Sequence, residues 1–238
     1  MNNFSYHNTT QIHFGQGQIA KIRDEMPANA RVLITYGGGS IKKNGVMEQV
    51  HAALEGVTYF EFGGIEPNPH FETLMKAVDV IKQENINFIL AVGGGSVIDG
   101  SKFIAAAALY PNDPWEIIQT YGAKVTQAVP LGCVLTLAAT GSEMNNGAVI
   151  TKAATQDKLF FFSEHVYPKF SVLDPTTTYS LPPRQIANGV VDSFVHIVDS
   201  QLPEDILSVA VDCMKAEVLF CRYFFCRLPQ CNFFEDIL

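Results

Sequence analysis

Cations are scarce in this chain. Sixteen lysines and arginines stand against 24 aspartates and glutamates, a formal net charge of −8 over 238 residues. With no basic cluster to offset it, that balance argues against a nucleic-acid surface. Long apolar runs are missing as well. None reaches the ~18 residues of a membrane-spanning helix, so no membrane partner is expected. The opening MNNFSYHNTT has neither the basic start nor the apolar core of a secretory signal. Cysteine is sparse until the end of the chain. Cys133 stands alone, while Cys213, Cys221, Cys226 and Cys231 crowd the tail without a C-x-x-C pair, which argues against a zinc knuckle. Reduced thiols and a cytoplasmic location are the expectation. No G-x-S-x-G elbow is present, because Glu143 and Met144 follow Ser142; a serine hydrolase of that type is disfavoured. His7, His13, His51, His70 and His165 have no second His or Cys at ligand spacing and read as structural or solvated. There is no internal repeat.

What the chain has is apolar residues, 47% against 17% charged, enough to bury a substantial core. The stretch that organises it is Phe88 to Leu109, FILAVGGGSVIDGSKFIAAAAL. An apolar run reads as a buried strand, Gly93, Gly94, Gly95 and Ser96 as a tight turn, and the Ala-rich remainder as a helix. Strand, glycine turn and helix start suit a phosphate. Glycines let backbone approach the anion, and the helix start offers unpaired N–H groups and a positive dipole end. The plainer alternative is a tight turn with no ligand. Asp99, one turn into the helix, could meet the ribose or nicotinamide end of a dinucleotide, or simply favour the helix start.

A second glycine turn, Gly37, Gly38, Gly39 and Ser40, follows the β-branched run Arg31 to Tyr36. It does not fit G-x-G-x-x-G, and it lacks the acid that an NAD site uses to bind the adenosine ribose. Small residues beside Lys42 or Lys43 would leave room for a 2′-phosphate; the plainer alternative is a turn with no ligand. Between the turns, Val57 to Phe62 reads as a strand, GGIEPNP as a loop, and Phe71 to Asn85 as an amphipathic helix with Leu74, Ala77, Val78 and Ile81 on one face. Residues 4–14 read as an edge hairpin or an opening strand. Residues 111–122 read as a loop around the single tryptophan, Trp115. Pro130 marks an irregular or edge start to the apolar run that follows. Residues 136–146 are small and polar and can line a ligand. Residues 148–151 and 158–162 form a hairpin, 170–173 a short strand, and a helix runs from Leu181 to about Ser200. Strands alternating with helices give an α/β fold with a Rossmann-like parallel sheet.

On the last helix Asp192 and His196 are spaced i, i+4, which puts a carboxylate and an imidazole on one face. Such a pair can hold a divalent ion, but spacing alone favours an ordinary acid and histidine. A complete site needs three or more ligands.

Taken together, FGGIEPNP, AVGGGSVIDGSKF, TLAATGSEMNNGAVIT and LPPRQIANGVVDSFVH resemble the iron-containing (group III) alcohol dehydrogenases, most of all their NADPH-dependent aldehyde reductase and butanol dehydrogenase branch. The resemblance runs from residue 1 to about 201. It implies a dehydroquinate synthase-like architecture: an NADP-binding α/β domain over residues 1–180 and, from 181 to 201, the first helix of an all-helical metal domain. It assigns Gly37, Gly38 and Ser40 to the adenosine 2′-phosphate and Asn68 to the adenosine ribose. Gly93, Gly94, Gly95 and Ser96 fall to the pyrophosphate. Asp99, read as the catalytic-site acid, falls to the nicotinamide end. Thr136, Asn145, Gly147 and Lys158 match further cofactor contacts, and Asp192 and His196 match two ligands of a divalent metal, Zn²⁺ or Fe²⁺. In the branch resembled, a tyrosine often stands where this chain has Thr177. The implied reaction is metal-assisted hydride transfer between NADPH and an aldehyde such as butanal. The partners are then small molecules, and a homodimer is compatible with the pattern. Residues 202–238 stop resembling the family. Rich in Cys and Phe and without histidine, they read as a truncation with a frameshifted tail, or less readily as a short apolar helix. The rival expectations are a non-catalytic NADP-binding fragment, or half of a split enzyme needing a helical partner. A relative acting on glycerol or a cyclic sugar acid is a third, which the GGIEPNP loop and the first glycine turn disfavour.

Overall fold

The computed structural model describes residues 8–201. The reading of residues 202–238, and of Phe4, Tyr6 and His7, lies outside them. Eight strands and six α-helices follow one another as β1 (Gln11–Phe14), α1 (Ile22–Glu25), β2 (Arg31–Thr35), α2 (Val46–Ala53), β3 (Thr58–Phe62), α3 (Phe71–Glu84), β4 (Phe88–Gly94), α4 (Gly95–Ala108), α5 (Trp115–Gln119), β5 (Leu131–Leu137), β6 (Gly147–Lys152), β7 (Asp157–Phe162), β8 (Phe170–Leu173) and α6 (Pro183–Gln201). They fall into two units, one ending at Leu181 and one beginning at Pro182. None of the described helices is long and apolar enough to cross a membrane.

Six strands form one parallel sheet in the order β1-β8-β5-β4-β2-β3. β4 lies inside it because both of its faces are apolar. Phe88, Leu90 and Val92 face a core built with α1 and α2, while Ile89 and Ala91 face one built with α3 and α4. All five are essentially fully buried. At roughly 1.5–3 kcal/mol for each large side chain, this strand is a principal source of the fold's stability.

The helices differ with their positions. α3 buries the one stripe its sequence offers, Leu74, Ala77, Val78 and Ile81, and ends at Asn85, which takes the left-handed conformation (φ 51°) that asparagine tolerates. α4 is buried on nearly every side from Gly100 to Ala108. Its small residues let it fit between the sheet, α3 and the antiparallel β6–β7 hairpin. A methyl group on Gly100 would lie 2.9 Å from Leu74 Cδ2 and 3.4 Å from Pro69 Cβ, so that glycine lets α3 and the loop before it close on α4.

Two local expectations are corrected. Residues 111–122 are not all loop. Asp113 accepts a hydrogen bond from the Trp115 amide at 3.0 Å and opens α5, and Trp115 is buried edge-on against Phe71. Pro130 does not mark an edge: β5 lies between β4 and β8, and the proline, just before the strand, uses only its carbonyl, accepting from the Ile89 amide at 2.9 Å. The described part of residues 4–14 contains a strand, one of the two forms expected there: β1 lies parallel to β8 at the sheet margin.

Candidate functional site

The connection β2 to β3 runs outward in one direction across the sheet, and β4 to β5 runs in the other. The strand order therefore reverses between the neighbours β2 and β4. In a parallel α/β sheet the crevice at the carboxyl ends of such a pair is where ligands bind. Both glycine turns lie there, Gly37 to Ser40 after β2 and Gly93 to Ser96 at the junction of β4 and α4. Val97 stands between them: methyl groups on Gly37 and Gly93 would lie 3.6 Å and 2.6 Å from its Cγ2.

The second turn is tight for reasons internal to the protein. None of its glycines has a positive φ. A methyl on Gly93 would strike Val97, and one on Gly95 would overlap Thr140 Oγ1 and lie 2.8 Å from its Cγ2. A methyl on Gly94 would be 3.3 Å from Leu137. The pairing of β4 with β5 slips here, with Gly93 opposite Leu135 and Gly94 opposite Leu137, so half-buried Thr136 is the extra residue of a bulge. Bulges of this kind re-aim backbone beside sites. α4 then begins without any side-chain cap, which leaves its first N–H groups free for an anion.

Around this helix start the chain brings together most of the remaining expected residues. Asn68, exposed with φ 57°, uses its amide to meet Ser96 Oγ at 3.4 Å, and its Oδ1 accepts from Lys158 Nζ at 2.8 Å. One turn further, Asp99 Oδ1 accepts from Ser142 Oγ at 2.6 Å and Oδ2 from the Val149 amide at 3.0 Å. Burial raises the Asp99 pKa, against the opposing pull of those two donors and of Lys102. Ser142 in turn bonds Thr140 at 2.7 Å. Lys102 Nζ donates to Asn145 Oδ1 at 2.8 Å and to the Gly147 carbonyl at 2.9 Å. Thr140 and Ser142 fall in the small, polar stretch 136–146, but neither they nor Lys102 has an individual role in the sequence reading. The available signal for Lys102 was a cation set in an otherwise uncharged apolar helix segment, residues 100–108. Thr177 is buried, its hydroxyl donating towards Leu135 O and Asp174 O at 3.0 and 2.9 Å, so it turns inward.

Past Gly37, whose added methyl would lie 3.3 Å from the Ile65 carbonyl oxygen, the first turn is open by contrast. Nothing lies within 4 Å of a methyl placed on Gly38, and Gly39 is left-handed at φ 88°. Ser40 is exposed at the start of a short 3-10 turn. The acid missing from the turn itself arrives from β3. Glu61 accepts from Lys42 Nζ at 2.7 Å and Tyr36 Oη at 3.3 Å and pairs with His51 Nε2 at 3.0 Å, while Lys42 also lies over the Tyr36 ring at 4.7 Å. The Glu61 contact raises the Lys42 pKa, and Lys42 in turn lowers that of Glu61.

In the second unit, His196 Nε2 lies 3.8 Å from Asp192 Oδ1 on the exposed face of α6. This is a two-donor set. Among the described residues no group of three or more His, Cys, Asp and Glu side chains could hold an ion, so these residues alone do not make a metal centre.

The model of the iron-containing alcohol dehydrogenase family matches residues 9–175. Over 208 residues the chain is 60% identical to the NADPH-dependent aldehyde reductase YqhD of Escherichia coli, covering 87% of this chain and 54% of that protein. Over 202 residues it is 47% identical to a probable NADH-dependent butanol dehydrogenase of Bacillus subtilis, covering 84% and 52%. The crystal structure of E. coli YqhD superposes with a TM-score of 0.80 at 62% identity, over 83% of this chain and 51% of that one. NADH-dependent butanol dehydrogenase A of Thermotoga maritima superposes with a TM-score of 0.79 at 43% identity, over 88% and 55%. The chain thus spans about half the length of the curated relatives it matches. A match running through every strand of the parallel sheet, on a fold shared at this level of identity, means that the chain belongs to the iron-containing alcohol dehydrogenase family.

Proposed function

We propose that the chain is the cofactor-binding part of an NADP(H)-dependent alcohol dehydrogenase or aldehyde reductase. The observation behind this reading is the pair of glycine turns at the reversal point of the sheet. Residues 1–180 would hold the dinucleotide, and residues 181–201 would begin the metal-binding part. When bound, NADPH supplies the hydride that reduces an aldehyde carbonyl carbon. The residues of this chain do the holding. Gly37, Gly38 and Ser40 make room for the adenosine 2′-phosphate, and Asn68 meets the adjoining ribose. The uncapped amides of Gly95 and Ser96 face the pyrophosphate, with the Lys158 cation beside them through Asn68. The nicotinamide would then lie towards β5, near Thr136, Asn145 and Gly147. Both Asp99 oxygens already have protein donors, which favours a role in holding the 142–149 segment at the nicotinamide end over one in moving a proton. Asp192 and His196 would be two donors to a divalent cation, Zn²⁺ or Fe²⁺, that needs at least one more.

That two-donor set favours a second reading, a cofactor-binding chain that turns over only with a helical partner. Titrating NADPH into the purified chain and following NADPH oxidation with butanal and added Zn²⁺ or Fe²⁺ separates the two. Binding with turnover supports the first reading and binding alone the second, while absence of binding removes both.

A further inference from the structure

Lys102 is wholly buried in the middle of α4, among Ile98, Phe103 and the alanines that follow. A buried ammonium is costly unless it is hydrogen-bonded and opposed by negative charge. Both conditions are met. The charges facing it are Asp99 from its own helix, Glu143 from the loop after β5 and, only if ionised, the Cys133 thiol of β5, which burial pushes up to about 12. Burial lowers the Lys102 pKa to about 8 against these. Its two hydrogen bonds both go to one short segment, to Asn145 Oδ1 and Gly147 O, and Asn145 Oδ1 also accepts from the Gly147 amide at 3.0 Å.

This arrangement decides which way the Asn145 amide points. Lysine and a peptide N–H are donors only, so the side-chain oxygen must face them. The NH₂ of Asn145, an exposed residue, is then left facing away from the knot. We propose that Lys102 is a positioning residue for the nicotinamide half of the cofactor: from inside the helix that receives the pyrophosphate, it locks Asn145 with its amide donors presented to the ligand. The inference rests on the cofactor reading above, in which the dinucleotide runs from the β2 turn across β4 towards β5.

The test compares two probes on the full chain. NADPH occupies the whole site, whereas 2′-phospho-ADP-ribose lacks the nicotinamide. Lys102→Met keeps the apolar stem and removes every donor. It should weaken NADPH about tenfold, the size of one or two lost hydrogen bonds, and change 2′-phospho-ADP-ribose by no more than about twofold on the same scale. Asn145→Asp is the second variant. It keeps an oxygen for Lys102 and so should fold, but it replaces the outward donor with an acceptor and should show the same selective loss. Parallel loss of both probes, or no loss of either, overturns the assignment. If Lys102→Met does not fold, the Asn145→Asp result decides. A wild-type chain that binds neither probe defeats the cofactor reading itself, and this inference with it.

Discussion

The letters Gly-Gly-Gly-Ser occur twice at the carboxyl edge of this sheet, and the two copies need glycine for opposite reasons. At Gly93 to Ser96 the protein has no space: Val97 and Thr140 occupy the volumes that side chains on Gly93 and Gly95 would need. At Gly38 and Gly39 the protein has space to spare, and Gly39 is required for its left-handed backbone. A glycine motif in a sequence does not say whether it is empty towards the protein or towards a ligand. Here one turn is a packed joint and the other an open shelf.

The contrast can be broken experimentally, and the largest effect is expected in the joint. Gly95→Ala should destabilise by about 3 kcal/mol through overpacking against Thr140. Combining it with Thr140→Ala, which removes Oγ1 and Cγ2, should recover most of that loss in a denaturant titration. If the double variant is as unstable as the single one, steric conflict is not why the turn needs glycine. Next comes the buried cation behind the joint. The folded Lys102 pKa of about 8 lies below its ordinary value of 10.5, so between those pH values the unfolded chain binds the proton that the folded chain has released. Stability relative to Lys102→Met should therefore rise with pH, by roughly 2 kcal/mol from pH 8 to pH 10. A flat difference would mean that Lys102 keeps its charge.

On the shelf, Gly39→Ala should cost about 1 kcal/mol for the left-handed backbone. Gly38→Ala should cost less than about 0.5 kcal/mol yet weaken NADPH, since the new methyl meets only ligand. Equal thermal shifts for the two would dissolve the distinction within the turn. The smallest effect on stability belongs to Glu61→Gln, which should leave Tm unchanged. By releasing Lys42 it should raise NADPH affinity relative to NADH. An unchanged ratio would place the 2′-phosphate away from Lys42.

The joint was legible in the sequence because all of its parts are contiguous, with the apolar run, the glycines and the Ala-rich helix following one another. The β6–β7 hairpin was legible for the same reason. What sequence could not reveal were pairings across distance. Asp99 finds its partners at Ser142 and Val149, and Glu61 reaches across from the next strand to Lys42. Pro130 misled because a proline before a strand reads like one at a margin, when only its carbonyl was needed there. The five-residue α5 is too short for a helical period to emerge from its surroundings.

One pairing has a temporal meaning. The first described strand, β1, is held by β8, with Gln11 opposite Phe170, and the Gly17 amide is bound by Asp174 at 2.6 Å. At roughly 5–20 residues per second of synthesis, β1 leaves the ribosome on the order of ten seconds before its neighbour exists. The innermost strands can assemble in that interval, and β1, made before them, is the last that can take its place in the sheet.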